Sequence, residues 1–317
     1  MTKIRDCLLK KVESFPGESR HLSRKAQTAV AYALKEEGFK LKDILSVVGI
    51  PSATYHYHAK QLGIADPDGA LKELIRQLFF QFKERYGYKR LTKEMQKLGH
   101  CVNHKKVYRL MQEIGLKCVK FMRKSRKYNS YRGKVGTVAK NRLNRRFHTT
   151  IPLQKLVTDV TEFKCMGEEK LYFSPILDLY NGEVIAYSMN KRPTLDFVMK
   201  PLQEAVGIIR KHGTVRTTLH SDQGWQYQHN KWVKILKKNK LFQSMSRKAT
   251  CADNAAMENF FGILKQEMYH GEKMVSYGEL ESRISEYIDW YNQVRSKEKL
   301  AGLSPVEYRT QTSQLAA

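Results

Sequence analysis

Asp159 lies in the run Val157-Thr158-Asp159-Val160-Thr161-Glu162-Phe163. A carboxylate among β-branched residues of a core strand is costly unless something satisfies it. Asp222 ends another apolar run, in Leu219-His220-Ser221-Asp222-Gln223-Gly224, and Glu258 follows after 35 intervening residues, in Ala255-Ala256-Met257-Glu258-Asn259. Mg2+ is typically held by one or two carboxylates, with water and substrate oxygens completing its shell. Two such ions about 4 Å apart can stabilise the attacking and leaving oxygens of an in-line displacement at phosphorus. Lys265 stands two helical turns after Glu258, on the same face and about 10 Å further along the axis, where a cation suits a phosphate. The acids Glu162, Asp178, Asp253 and Glu267 read instead as capped or solvent-facing groups. His220 and Gln226 are candidates for shaping the site, His220 equally for a structural strand residue. Trp225 and Tyr227 either stack on a base or pack the loop.

The elements that must position these acids begin near residue 151. LQKLVTDVTEFKC, KLYFSPILDLYNG and EVIAYSMN read as three strands, the last two joined by an Asn181-Gly182 turn. Residues 194–212 carry a helical stripe of Leu195, Val198, Met199, Leu202, Ala205, Val206 and Ile209. VRTTLHSD is a fourth strand, residues 230–240 a short basic helix, and LFQSMS a fifth strand. A long helix starts at Asp253 or Asn254 and runs past Met268, and helices close the chain. Three strands, helix, strand, helix, strand, helix is the order of an RNase H-like α/β fold, a five-stranded mixed sheet with flanking helices. If its first and fourth strands are neighbours, Asp159 and Asp222 converge. There is no internal repeat and no glycine pattern of a nucleotide-binding loop.

Ahead of this core the sequence reads as all-α helix-turn-helix domains. Ala26 to Gly38, Leu41 to Gly49 and Ser52 to Gly63 are three helical stretches with a Gly-containing turn. Ser52, Thr54, Tyr55 and His56 fall near the start of a recognition helix in that reading, with Tyr57 and His58 in its next turn. A second unit follows a turn-rich break at 65–69, with Asn103 as an N-cap and Lys105, Lys106 and Arg109 exposed on its last helix. From Ile114 to Thr158 there is no acid. Arg123, Lys124, Arg126, Lys127, Arg145 and Arg146 lie in that stretch, interleaved with Phe121, Tyr128 and Tyr131, which reads as a linker ordered by a phosphate backbone. The expected division is 1–64 and 65–118 for the two helical domains, 119–150 for the basic linker, 151–295 for the catalytic core and 296–317 for a tail.

The formal net charge of +26 over 317 residues repels itself unless a polyanion neutralises it, and nucleic acid is the commonest such partner. No apolar run is long enough to span a bilayer. The five cysteines, Cys7, Cys101, Cys118, Cys165 and Cys251, are scattered and form no CxxC pair, so neither a disulfide framework nor a zinc ribbon is expected and a reducing cytoplasm fits. His100, Cys101 and His104 lack a second ligand cluster at zinc-finger spacing.

The strings VTDVTEF, LYFSPILDLYNGEVIAYS, HSDQGWQY, SMSRKATCADNAAMENFFGILKQE and YIDWYNQVRSKEKLAGLSPVEYR, together with RYGYKR and VNHKKVYRLMQEIGL, resemble the D,D(35)E transposases and retroviral integrases. More narrowly, they resemble the IS-three group of bacterial insertion sequences, with KEKLAGLSP pointing to its IS-one-fifty branch. The resemblance implies a transposase that binds terminal inverted repeats and target sites in double-stranded DNA. Asp159, Asp222 and Glu258 would be both its catalytic residues and its metal ligands, holding two Mg2+ ions, with Mn2+ as a substitute. It implies strand cleavage and 3′-OH strand transfer through a circular intermediate, a homo-oligomer of at least two chains, a cytoplasmic, nucleoid-associated location, and in some members fusion to an upstream reading frame. The sequence departs from that pattern twice: the zinc-binding domain of retroviral integrases is absent, and Lys297 stands where many relatives carry His.

Overall fold

The computed structural model describes residues 23–62, 66–118, 138–248 and 250–315. They form two compact units, one ending at Glu73 and one running from Leu74.

In the first unit, α1 (Arg24–Glu36), α2 (Leu41–Val48) and α3 (Ser52–Leu62) surround a small core of Val30, Ala31, Leu34, Ile44, Ile50 and Tyr55. Ser23 caps α1 by accepting from the Ala26 amide at 3.2 Å, and Gly49 ends α2 with φ of 75°, a conformation glycine adopts without a Cβ penalty. Tyr55 is 1 % exposed. It packs the bundle, so the expectation that it faces DNA is corrected: one turn into α3, positions 52 and 56 look outward and 55 looks in.

The helix α4 (Gly69–Gln81) leads into the second unit, where α5 (Tyr88–Lys97) and α6 (His104–Glu113) follow. Leu91, Met95, Val107, Leu110 and Met111 are buried between them. Asn103 caps α6, accepting from the Lys105 amide at 2.8 Å.

The sheet has the strands β1 (Lys155–Thr158), β2 (Thr161–Lys164), β3 (Lys170–Asp178), β4 (Val184–Asn190), β5 (Thr218–Ser221) and β6 (Phe242–Met245). β1 and β2 both pair antiparallel with β3, in one continuous register: Thr158 opposes Ile176 and Thr161 opposes Phe173. They are one strand interrupted at Asp159 and Val160, and the same register sets Asp159 opposite Pro175, which has no N–H to donate. β4 lines the outer edge of β3, while β5 runs parallel to β1 and β6 parallel to β5. Counted with the interrupted strand as one, the sheet has the expected RNase H-like order.

Between the strands lie α7 (Leu195–His212), the single turn α8 (Trp225–Gln228) and α9 (Asn230–Lys238). A 3-10 turn (Cys251–Asn254) leads into α10 (Ala255–Met268), then α11 (Tyr277–Gln293) and α12 (Pro305–Leu315). α7 and α9 bury one face of the sheet through Phe197, Leu202, Trp232 and Leu236, against Leu156, Ile176 and Leu219. α10 and α11 bury the other through Met257, Phe260, Leu264 and Ile284, against Val157, Phe173 and Leu177. The alternation of Leu156 and Val157 between the two layers is the period of a strand buried on both faces. Among the described residues no helix is long and apolar enough to cross a membrane.

Two parts of the chain are tied to this core more firmly than their sequence suggests. The basic stretch, 119–150, was expected to be a linker ordered by a phosphate backbone. Its residues 119–137, with Arg123, Lys124, Arg126 and Lys127, lie outside the described residues, but 138–150 is packed on the sheet: Leu143 is buried, and the Arg142 amide donates to Ser244 Oγ at 2.9 Å. The α5 segment is fastened as well. Arg85 Nε donates to the Glu267 carbonyl, Arg90 Nη1 to Glu267 Oε1, and the Ser296 amide to Tyr86 Oη. Glu267 and Asp253, read from sequence as capped or solvent-facing acids, are both 0–1 % exposed and ringed by arginines. Asp178 is buried too, capping the Leu153 and Tyr180 amides, whereas Glu162 is an exposed partner of Lys170.

Candidate active site

Strand alternation puts Asp159 on the face of Val157, beneath α10. The parallel register of β1 and β5 pairs Lys155 with Thr218 and Val157 with His220. Extended by two residues it sets Asp159 level with Asp222, on strands about 4.8 Å apart. The same alternation points Asp222 to the α10 side. Their backbones therefore bring the two acids together before any side-chain choice is made.

Asp159 is held at both oxygens. Oδ1 accepts from the Val160 amide at 2.8 Å, and Oδ2 from Asn254 Nδ2 at 3.0 Å. Asn254 occupies the cap position of α10 but makes no side-chain cap bond; its amide is directed across to Asp159 instead. Its own Oδ1 is buried without a protein partner. Asp222 Oδ1 accepts from the Gly224 amide at 2.9 Å.

Burial lifts the Asp159 carboxyl well above the usual carboxylate range, and the charges of Asp222 and Glu258 lift it further, against the hydrogen bonds from Val160 and Asn254. Burial raises Asp222 as well. Glu258, exposed in the first turn of α10, is raised by partial desolvation. The centre thus concentrates negative charge with no paired cation among the described residues, an arrangement that marks functional sites more than structural ones. Among the described residues no three His, Cys, Asp or Glu side chains close around a single point as a finished metal cage. Asp159 and Asp222 converge, and the charge of the exposed Glu258 reaches Asp159.

Around the acids the remaining candidates divide. His220 is fully buried, with Nδ1 2.8 Å from Ser244 Oγ and Nε2 3.1 Å from Ser246 Oγ. Burial lowers it to about 4, so it is a neutral structural residue that links β5 to the strand beyond. Tyr227 is completely buried against Trp232, at 4.9 Å between ring centroids, whereas Trp225 is half-exposed. A Cβ at Gly224 would crowd the ends of two side chains, lying 2.6 Å from Gln226 Nε2 and 3.0 Å from Asp222 Oδ1. Lys265 is half-buried with its ammonium 5.0 Å from the centre of the Phe163 ring.

The DNA-binding candidates divide as well. Ser52 and His56 are exposed and Thr54 is half-buried. On α6, Lys105 and Arg109 are exposed and Lys106 half-buried, with Arg109 paired to Glu113 at 2.7 Å. Arg146 is exposed, and Arg145 is bound to Asp253. The Lys297 ammonium donates to the Asn181 and Gly182 carbonyls and to Tyr291 Oη at 2.8–3.2 Å. Burial first, then Arg295, drives its pKa well below that of an ordinary lysine.

Sequence reasoning missed Asn254 and Gly224. The signal for Asn254 was its place at the start of the helix that carries Glu258. Gly224 was signalled by a Gly two residues after a strand-ending Asp.

Residues 149–251 and 258–312 match family models described as Integrase core domain, and residues 66–125 match one described as HTH-like domain. The chain is 43% identical over 274 residues to the transposase InsK for insertion sequence element IS150 of Escherichia coli, covering 86% of this chain and 95% of that protein. It is 50% identical over 213 residues to a transposase-like protein of Haemophilus influenzae, covering 67% and 94%. With transposase InsF for insertion sequence IS3A of Escherichia coli it shares 34% over 233 residues, covering 73% and 78%. Among solved structures, the HTLV-2 integrase catalytic core domain in complex with magnesium aligns at TM-score 0.37 and 16% identity, over 49% of this chain and 94% of that one. By these relatives, and by the integrase core behind an HTH-like domain, the chain belongs to the IS3 family of insertion-sequence transposases.

Proposed function

We propose that this chain is a D,D(35)E transposase that cuts and joins DNA at the ends of an insertion sequence, with Asp159, Asp222 and Glu258 as its catalytic acids. The observation that carries this reading is the level placement of Asp159 and Asp222 on adjacent parallel strands beneath the helix that bears Glu258. The donor set fits a hard divalent cation: two carboxylates that repel each other, a third at the rim, and the buried, unpartnered Oδ1 of Asn254. Asp159 and Asp222 would hold Mg2+, or Mn2+ in its place, and Glu258 would complete a pair of sites with substrate oxygens. When bound, such ions supply charge stabilisation for the attacking and leaving oxygens.

The side chains then have defined tasks. Asn254 keeps Asp159 turned toward Asp222. The Gly224 amide holds Asp222 Oδ1, and Gln223 and Gln228 tie down the loop beyond it. Lys265 takes a phosphate on the same helical face as Glu258. The nucleophile is water in the first step and the freed 3′-OH in the second. Each step is a direct in-line displacement in which one P–O bond forms as another breaks, without a covalent link to the protein. Joining one end to the other on the same strand gives a circular intermediate that integrates later. The exposed residues of α3 and α6 bind the terminal inverted repeats, and two chains at least hold the two ends.

The test is cleavage and joining of an element-end duplex by Asp159→Asn, Asp222→Asn and Glu258→Gln. Each is expected to lose at least ~10²-fold in rate, as an interaction made in the transition state is lost. Asp159→Asn should also lose the thermal shift that Mg2+ gives the wild type. Full strand transfer by any of the three would overturn the assignment.

A further inference from the structure

Asp253, one residue before Asn254, gathers two arginines, Arg247 from 6 residues back and Arg145 from 108 residues back. Its Oδ1 accepts from Arg145 Nε and Arg247 Nη2, both at 2.9 Å, and its Oδ2 accepts from Arg247 Nε at 2.8 Å and Asn141 Nδ2 at 3.0 Å. The Arg247 amide also donates to Oδ2, at 3.1 Å. The carboxylate is completely buried, yet the side chains of Arg145 and Arg247 are 52% and 58% exposed.

One buried negative charge therefore fixes two positive ones at the surface. Each guanidinium has five N–H donors. Arg145 uses one on Asp253 and Arg247 uses two, so the outer edges of both remain to meet solvent. A turn that needed only pinning would be served by Asn141 and one arginine. The second leaves a net positive charge on a rigid platform. Adjacent Cα atoms are about 3.8 Å apart, and the neighbour Asn254 touches Asp159, so this platform borders the acidic centre. The planar fork of a guanidinium matches the two free oxygens of a phosphodiester.

We propose that Arg145 and Arg247, held side by side by Asp253, form a phosphodiester-binding clamp for the DNA strand that enters the active site. The clamp rests on the reading of the chain as an enzyme acting on DNA. Its ligand is the backbone phosphate, so it acts without regard to base sequence.

Binding of a random-sequence duplex to the full-length protein, measured against salt from about 50 to 200 mM, tests it. Each phosphate contact contributes about 0.9 to the slope of log affinity on log salt. Arg145→Gln and Arg247→Gln are each expected to lower the slope by about that amount. Arg283→Gln, which removes a charge paired with Glu279 on α11, should leave it unchanged. In the wild-type protein, the duplex should protect Arg145 and Arg247 from phenylglyoxal, a readout that needs no variant to fold. Unchanged slopes in folded variants, or no protection of either arginine, would overturn the clamp and leave Asp253 as a structural pin. If the wild type itself binds no duplex in a salt-dependent way, the proposed function fails as well, which separates the two outcomes.

Discussion

Replacing Glu267 by Gln should strongly destabilise the second unit. Glu267 is 1 % exposed; its Oε1 accepts from Arg295 Nη2 at 2.6 Å and Arg90 Nη1 at 3.3 Å, and its Oε2 from Arg295 Nε and Tyr287 Oη, both at 2.8 Å. The Arg295 side chain is 3% exposed. Gln keeps the shape and removes the charge, so Arg295 is left as a buried cation with no counter-ion. Breaking one side of a buried pair costs about 3–5 kcal/mol. Arg90, a quarter exposed, can turn to water and adds little. Against a total stability of about 5–15 kcal/mol, the loss is large and should be read as a lower urea midpoint and a lower Tm. Glu267→Leu combined with Arg295→Met removes both charges and should recover most of it, since a buried pair replaced by apolar residues is often neutral. The acid limb gives a second check. Burial pushes the Glu267 carboxyl up, but the hydrogen bonds and charge of Arg295, with Arg90, bring it below the usual range. An acid with a depressed folded pKa gives stability that is present above its unfolded value, about 4.3, and is lost as pH falls through the folded one. Glu267→Gln should lack that loss. A midpoint within about 1 kcal/mol of wild type would refute the argument, because it would mean that Arg295 finds water where the structure leaves it almost no exposed surface. Trypsin should also cut the α4–α6 segment sooner in this variant, since the same carboxylate anchors Arg90 of α5.

The strands were legible because each announced itself locally. The Asn181-Gly182 turn fixed one hairpin, with Gly182 at φ 72°, and an acid inside one apolar run and another at the end of a second run marked the centre. The interruption at Asp159 was legible only in part: Pro175 inside an apolar run marks a gap in the ladder, but which strand it faces depends on register. The fates of Asp253 and Glu267 could not be read locally. Arg247 is near Asp253 in sequence, but Arg145, the second arginine on Asp253, and Arg90 and Arg295 on Glu267 come from far along the chain. The same holds for residues 138–150, whose composition says linker and whose burial is decided by Leu143 and Ser244, far apart in sequence. Tyr55 failed for a different reason. A helix start offers four residues to a partner, and the one that faces the bundle is chosen by the packing of Val30 and Ile44, not by residue type.

Gly224→Ala should leave Tm nearly unchanged but slow strand cleavage by up to ~10²-fold, since displacing Gln226 and Asp222 by a fraction of an ångström disturbs the reacting geometry; wild-type rates would show that the loop tolerates the methyl. Asn103→Ala removes the cap of α6 and should cost about 1 kcal/mol in the urea midpoint, with an unchanged midpoint indicating that the helix start is held by packing alone. Asp178→Asn addresses the pH dependence at neutral values. Asp178 is 2% exposed, and burial, together with Glu183, pushes it up to about 6 against the amides of Tyr180 and Leu153. A raised folded pKa means that the folded state holds the proton more tightly than the unfolded chain. Stability is therefore highest below the unfolded value, about 3.9, and falls as pH rises through the folded value near 6. A rise of that size corresponds to about 3 kcal/mol, opposite in sign to the acid limb of Glu267. Asp178→Asn cannot ionise, so the difference between its urea midpoint and that of wild type should change by that amount between about pH 4 and 7 and stay level above. Parallel curves across that window would mean that the two amide donors stabilise the carboxylate enough to cancel its burial.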